Sequence, residues 1–331
     1  MRMAQKQCHL TANYIFMHKD YKKILHMPNN DILRKMYKNG SLVSVVNISQ
    51  EGMTMPSNIE TWSLNAYGQP TSIELKSGVA SIPEYWQTSN HALSSVTIPN
   101  TLKSIGSSAF ADCTSLVALN VPSGTTSIGY GAFNEVGCSA ITIPNTVTTI
   151  GSQAFSHNVN TMDITNIDLS NVIDLASNLF SMSHIKGNIT ITNDQLSGST
   201  SGYSSSYAYG MFNNAYVTDS GDTLNITVYA DGRILPQNIF NFATYASNGT
   251  INIRIYGTPT YLSPKCLGGG TEKYSITFVD CTTPPDGNTG TSSSSPFYNF
   301  GGTVYVPNST ALTRWKNKYT SNSSHFKVIG T

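Results

Sequence analysis

The strongest constraint on the fold is a pattern that recurs three times in the middle of the chain. The segments VTIPNTLKSIGSSAF, LNVPSGTTSIGYGAF and ITIPNTVTTIGSQAF follow one another between residues 96 and 155. Equivalent prolines, glycines and phenylalanines recur after 23 and then after 22 residues. A fixed period of this size indicates a solenoid, in which each repeat packs only against its two neighbours.

Each repeat predicts the same local structure. Apolar and polar residues alternate before the proline, as at Val96 and Ile98, which predicts a short strand with one buried face. The proline ends the strand because it has no amide hydrogen to donate. A second apolar residue precedes a glycine that permits a tight turn, and an Ala-Phe pair then points inward. The predicted repeat core consists of Ile98, Ile105, Phe110, Val121, Ile128, Phe133, Ile143, Ile150 and Phe155.

The motif IP-N-x-[LV]-x-x-IG-x-x-AF resembles the BspA-like leucine-rich repeats, and the resemblance is specific over residues 96–160. That family comprises surface and secreted proteins of gut and oral bacteria and of some parasitic protists. The resemblance implies a leucine-rich-repeat-like solenoid, mainly β, in which short parallel strands stack with irregular or short helical returns. It also implies a role in adhesion to proteins or cells, without catalysis, and does not identify the partner.

The pattern divides the chain into three parts. Residues 1–55 do not repeat and are predicted to be an N-terminal cap or attachment segment, residues 56–302 the solenoid, and residues 303–331 a C-terminal capping unit. In the first part, Asn29 to Asp31 are predicted to cap a short helix that carries Ile32, Leu33 and Met36 and ends at Asn39-Gly40. In the last part, a helix with Leu312, Trp315 and Tyr319 is predicted to cover the final coil.

The second half of the solenoid keeps its strands but lengthens the connections between them. Strands are predicted at residues 189–192, 224–229, 251–256, 276–279 and 303–306. The aromatic anchors Phe180, Phe212 and Phe240 are 32 and 28 residues apart, so the extra residues must leave the stack as loops.

One such insertion, residues 193–223, is the candidate binding loop. Its tyrosines lie among serines and glycines, a composition that combines rigid contact area with adaptable hydrogen bonding. The alternative is an ordinary loop whose tyrosines fold back onto the solenoid. The candidate binding residues are Tyr203, Tyr207, Tyr209 and Tyr216.

Composition and charge argue against several classes of function. Charged residues make up 11% of the chain, against about 25% in typical soluble domains, which suits a virion surface or an extracellular setting. The net charge of +1 gives no indication of nucleic-acid binding. The first forty residues nevertheless hold eight basic and two acidic side chains. We interpret this excess as a solvated face or as a contact with a neighbouring subunit or another virion protein.

No motif predicts catalysis, a cofactor or a metal site. The five cysteines form no CxxC pair, and we expect Cys113 and Cys138 to be free thiols between coils, with a disulfide as the alternative. The candidate carboxylates for polysaccharide cleavage are Asp163, Asp168 and Asp174, and the candidate calcium ligands are Asp219 and Asp222. In both cases turn residues are the favoured interpretation.

The combined expectation is a non-enzymatic adhesion or receptor-binding protein. No secretory signal or membrane span is found in the sequence, so we expect a phage virion surface or tail-fibre component, active as a homo-oligomer. Its expected partner is a protein or glycan of the host-cell surface. The alternatives are a secreted or cell-surface bacterial adhesin, an architectural virion protein without a receptor and, least favoured, a polysaccharide-degrading enzyme.

Overall fold

The computed structural model describes residues 58–65, 69–196, 209–243, 248–290 and 292–330, together with the backbone of three strands near the N-terminus. These are β1 (Ile24–His26), β2 (Ile32–Lys38) and β3 (Ser41–Asn47), which form an antiparallel sheet in the order β1-β2-β3. The helix predicted over Ile32 to Met36 is therefore wrong. Asn-Gly between two apolar runs is also a strong hairpin signal, and here Lys38 pairs with Ser41 directly across it.

The predicted repeat solenoid of short parallel strands is confirmed. Its main side is a row of strands made of a three-stranded sheet followed by a nine-stranded sheet, and successive coils add strands in parallel. Only β4 and β5, at the start of the row, pair antiparallel. The row comprises β4 (Ile59–Leu64), β5 (Pro70–Leu75), β7 (Ser95–Thr97), β9 (Ala118–Asn120), β11 (Ala140–Thr142), β13 (Met162–Asp163), β14 (Ile185–Ile191), β15 (Thr223–Tyr229), β17 (Thr250–Tyr256), β19 (Tyr274–Phe278), β21 (Thr303–Val306) and β22 (Phe326–Val328).

Two-residue strands form the second side of the coils. They make one parallel sheet of four strands and another of three, and equivalent isoleucines of neighbouring repeats pair with each other, as Ile105 does with Ile128. These strands are β6 (Ser81–Ile82), β8 (Ser104–Ile105), β10 (Ser127–Ile128), β12 (Thr149–Ile150), β16 (Ile234–Leu235), β18 (Tyr261–Leu262) and β20 (Asp286–Gly287). A short 3-10 helix, Asp194–Leu196, follows β14.

The glycine of each repeat lets adjacent coils approach closely. The amide of Gly129 donates to the carbonyl of Ile105 one coil earlier at 2.8 Å, and Gly106 and Gly151 make the same bond in their own coils. A Cβ atom at Gly129 would lie 2.5 Å from the backbone nitrogen of Ser107. Glycine is therefore required here by the spacing between coils.

A ladder of phenylalanine rings runs through the core. Phe110, Phe133, Phe155, Phe180 and Phe212 are fully buried, and each ring stacks on the next with centroids 5.5–5.7 Å apart and planes within 17°. The ladder starts at Trp86, which contacts Phe110 edge-on, and continues from Phe212 to Phe240. The backbone amide of each phenylalanine also donates to the following coil. Burial and stacking thus hold the coils in one register.

The residues after β21 pack against the last coils. Helix α1 (Ser309–Lys318) is capped by the side chain of Asn308, and it buries Trp315 against Phe278 of the last long strand at a centroid distance of 4.6 Å. Tyr319 is fully buried and donates its hydroxyl to the carbonyl of Pro285. A 3-10 helix, Thr320–His325, then leads into β22. The predicted helix is present, and a further strand follows it at the edge of the sheet.

All four cysteines that the structure describes are free thiols and are buried. Burial raises the pKa of Cys113 and of Cys138 to about 12 each. These side chains pack as small apolar groups between coils and remain protonated at neutral pH.

Removing one ring from the ladder should weaken the whole stack. We expect Phe133→Ala to lower the free energy of unfolding by about 3–5 kcal/mol, because the cavity cannot be filled by neighbours already held in register. Denaturant unfolding monitored by circular dichroism measures the change. Tyr130→Ala is the matched control, since its ring is half exposed and its loss should cost less than about 0.5 kcal/mol.

The glycine contact gives a second test. Gly129→Ala should destabilise the protein by more than about 1 kcal/mol, because the added methyl group meets backbone that can move only if the coils separate. Gly221→Ala is the control, as nothing lies within 4 Å of a Cβ at that position. Equal melting temperatures for the two variants would contradict the close-approach argument.

The buried thiols give a third test. At pH 8 iodoacetamide should leave Cys113 and Cys138 unmodified in the native protein and modify both after unfolding, as read by peptide mass spectrometry. Their pKa values are higher in the folded than in the unfolded state, so their stabilising contribution should decline as the pH rises from about 9 towards 12. Rapid modification of the native protein would show that these side chains are accessible.

Candidate functional site

The longest strands of the main row present a continuous outer face from β14 onward. Strands β14, β15 and β17 have seven residues each, whereas β9, β11 and β13 have two or three. Inward residues such as Ile226 and Ile253 are buried, and the alternate positions point outward. Because the strands pair in register, outward side chains form rows across coils. We call this surface the long-strand face.

One row is a ladder of side-chain amides. The Nδ2 of Asn225 donates to the Oδ1 of Asn188 at 2.9 Å, and the Nδ2 of Asn252 donates to the Oδ1 of Asn225 at 3.0 Å. The hydroxyl of Ser275 donates to the Oδ1 of Asn252 at 2.8 Å. Every bond in the row points the same way, so the side chains are fixed relative to one another before any partner binds.

The neighbouring rows carry aromatic and cationic groups. Tyr229 and Tyr256 stack on adjacent strands, with ring centroids 5.3 Å apart and planes 23° apart, although Tyr229 is 47% exposed. Arg254 lies in the row that continues through Thr277 and Tyr305. Arg254 is exposed, and within the described ranges no carboxylate forms an ion pair with it.

Two clefts border this face. The first, of about 410 Å³, is formed around Arg254, Tyr256, Tyr305 and Ile329. The second, of about 520 Å³, lies where the long strand β14 extends past the short strand β13, and it is lined by hydroxyls, Asp168 and the end of the amide ladder. Both clefts are open to solvent on the outer side of the coils.

The candidate binding loop is only partly described. Tyr203 and Tyr207 lie outside the described residues. Tyr209 is half-buried, and its hydroxyl accepts a hydrogen bond from the Nδ2 of Asn238 at 3.3 Å. Tyr216 packs on His184 with ring centroids 4.1 Å apart and is hydrogen-bonded to it, and burial lowers the pKa of that histidine. These two tyrosines thus contact the solenoid, while their role in binding stays a prediction.

A polar pocket of about 350 Å³ lies beside Asn238 on the turn side of the coils. It is lined mainly by asparagines, among them Asn213 and Asn241, whose amides bond to each other at 2.8 Å. Lys265 sits over the ring of Tyr298 at 4.9 Å. Because Asn238, Lys265 and other lining residues have positive φ angles, these turns also need residues that tolerate the left-handed conformation. The pocket is thus partly a product of turn geometry.

Three of the candidate acidic side chains, Asp163, Asp168 and Asp222, have structural partners. Asp163 and Asp168 each accept a hydrogen bond from the backbone amide two residues further on, at 2.9 Å, as turn residues do. Asp174 is exposed. Asp222 forms an ion pair with Lys186 at 3.0 Å and thereby raises the lysine pKa. Across the described ranges, no group of three or more His, Cys, Asp or Glu side chains could hold a metal ion.

The predicted repeat core is buried except at its first residue. Ile98 is half-buried and packs against the core from near the start of the sheet row. The other eight residues are at most 4% exposed: Ile105, Phe110, Val121, Ile128, Phe133, Ile143, Ile150 and Phe155. No described helix has both the length and the apolar character of a membrane span.

Sequence reasoning missed the long-strand face. It placed these strands correctly but did not compare their outward positions. The signal is present in TLNITVY and TINIRIY, where asparagine and tyrosine occupy the same positions in consecutive coils. Aligning the strands by their buried isoleucines would have brought the asparagines into one row and the tyrosines into another.

Comparison with known proteins supports the repeat assignment. No curated protein sequence matches the chain significantly. The crystal structure of a leucine-rich repeat protein from Bacteroides ovatus ATCC 8483 aligns with 96% of this chain and 100% of that one, at 16% identity and a TM-score of 0.29. A family model described as BspA type leucine-rich repeat region matches residues 80–207 in six copies. This part of the chain is therefore a BspA-type leucine-rich repeat region.

Proposed function

We propose that the protein is a non-enzymatic binding protein of the adhesion type, and that it contacts its partner through the long-strand face. The observation that carries this proposal is the partly exposed stack of Tyr229 and Tyr256 beside Arg254, which forms no ion pair with any carboxylate in the described part of the chain. Tyrosine and arginine are the side chains that most often dominate binding energy at protein surfaces. The repeat family supports the adhesion role.

The rigidity of the face favours binding. The strands that carry these side chains pair in register over five to seven residues, and their inner faces are completely buried. Two tyrosines that already stack lose little conformational freedom when a partner covers them. A partner therefore meets an ordered surface.

The proposed setting is a phage virion, as a surface or tail-fibre component that recognises a protein or glycan of the host cell. The low proportion of charged residues and the polar amide and hydroxyl rows support an exposed position. A secreted or cell-surface bacterial adhesin fits the same features. An architectural virion protein is a further alternative, in which a neighbouring subunit would cover the long-strand face in the proposed homo-oligomer.

Replacing the tyrosine stack tests the binding role. We expect Tyr229→Ala/Tyr256→Ala to weaken attachment of the fluorescently labelled protein to bacterial cells by at least about tenfold, because two ordered aromatic contacts are removed. Flow cytometry over a panel of strains measures attachment. Tyr130→Ala, an equally exposed tyrosine on another side of the coils, is the matched control.

A second variant separates the two candidate surfaces. Tyr203→Ala/Tyr207→Ala/Tyr209→Ala removes three of the four tyrosines of the insertion and leaves the long-strand face intact. Attachment that is lost in this variant but retained in the Tyr229/Tyr256 variant would contradict the proposal for the long-strand face. Immunogold labelling of phage particles and of uninfected bacteria distinguishes the virion setting from the cell-surface one.

A further inference from the structure

We propose that the cleft beside Arg254 binds an acidic saccharide, with the sugar ring against the tyrosines and the sugar carboxylate on the guanidinium group. This inference rests on the proposed function, since it names the chemical class of the ligand at the same face. It follows from the charge, the aromatic groups and the polarity of the rows around the cleft.

The row of side chains that runs through the cleft carries two cations. Arg254, Thr277, Tyr305 and Lys327 occupy one continuous row across β17, β19, β21 and β22. Neighbouring strands are about 4.8 Å apart, so the two cations are separated by roughly 14 Å along the row. The outward positions of these four strands carry no carboxylate. An anionic ligand therefore finds two cations and no carboxylate among the outward side chains of these four strands.

The nearest acidic residues in sequence are already engaged at the strand ends. Asp231 accepts a hydrogen bond from the amide of Thr258 at 3.0 Å, and Asp280 accepts one from the amide of Gly257 at 3.3 Å. These carboxylates hold the turn that follows β17 and form no ion pair with Arg254. The five N–H donors of the guanidinium group are thus available to bind a carboxylate in bidentate fashion.

The remaining groups suit a sugar ring. Tyr256 and Tyr305 line the cleft together with Arg254 and Thr277, and Tyr229 extends the aromatic surface from the adjacent strand. Ring faces offer apolar contact to the C–H groups of a pyranose, while tyrosine and threonine hydroxyls can donate to and accept from sugar hydroxyls. The amide row lies one outward position away on the same strands and adds further polar groups.

The same features disfavour other partners. Aliphatic side chains at the cleft are limited to Val279 and Ile329, which is too small an apolar core for a protein interface of standard size. Two cations are also far fewer than the six to ten phosphate contacts of typical nucleic-acid complexes. One sugar carboxylate matches Arg254, the cation that lines the cleft.

Calorimetric titration of the full chain tests the inference. The probes are oligogalacturonates, neutral galacto-oligosaccharides of the same length, and a poly-glutamate peptide. We expect the oligogalacturonates to bind, the neutral sugars to bind at least tenfold more weakly, and added NaCl to weaken oligogalacturonate binding through screening. Arg254→Ala should reduce affinity at least tenfold, and Arg254→Lys should restore it only in part because the planar fork is lost.

Arg314→Ala is the matched control, since this arginine is exposed on α1 and its loss changes the net charge equally. It should bind the oligogalacturonates like the unmodified protein, and thermal unfolding should show both arginine variants folded. The inference is overturned if no oligogalacturonate binds, if the neutral sugars or poly-glutamate bind as tightly, or if Arg254→Ala has no effect. Cell attachment that depends on Tyr229 and Tyr256 while oligogalacturonates fail to bind would leave the proposed function standing and remove only the acidic saccharide.

Discussion

The structure depends on close contact between each coil and the next. A single coil has too few residues to enclose an apolar core, so its phenylalanine and isoleucines are buried only when coils lie above and below it. Backbone hydrogen bonds link neighbouring coils along both strand rows and through the turns that hold the phenylalanines. Glycine at positions such as Gly129 is the condition for this spacing, since any larger residue would separate the coils. The distance between coils in turn sets the spacing of the strands and of the side chains that they carry.

This contact explains which parts of the fold were predictable. The periodic Pro, Gly and Phe positions are the ones that make the contacts between coils. The sequence also identified Phe180, Phe212 and Phe240 despite their longer spacing, because the rings still stack when residues are inserted between coils. The N-terminal hairpin was misread as a helix. Over so short a segment, apolar residues at positions such as Ile32, Leu33 and Met36 do not distinguish a helix from a strand. The pairing of this segment with β3 decides for the strand.

The candidate site was harder to predict because it depends on residues far apart in the sequence. Within each strand the asparagine is an ordinary outward polar residue. A hydrogen-bonded row forms only when three coils stack in register and bring together Asn188, Asn225 and Asn252. The tyrosine-rich insertion attracted attention because its composition is local and visible. The long-strand face, in contrast, combines one or two residues from each coil. In a solenoid, surface chemistry is distributed across the repeats.

The amide row has a direction that follows from its hydrogen bonds. Each donor points towards the preceding coil, so the two ends of the row differ. Asn188 ends the row with an amide group at the cleft between β13 and β14, and Ser275 ends it with a hydroxyl. A linear molecule lying along this axis would encounter unlike groups at its head and its tail. Parallel in-register stacking thus gives a direction to a surface made of nearly identical units. A linear partner would bind to it in one orientation.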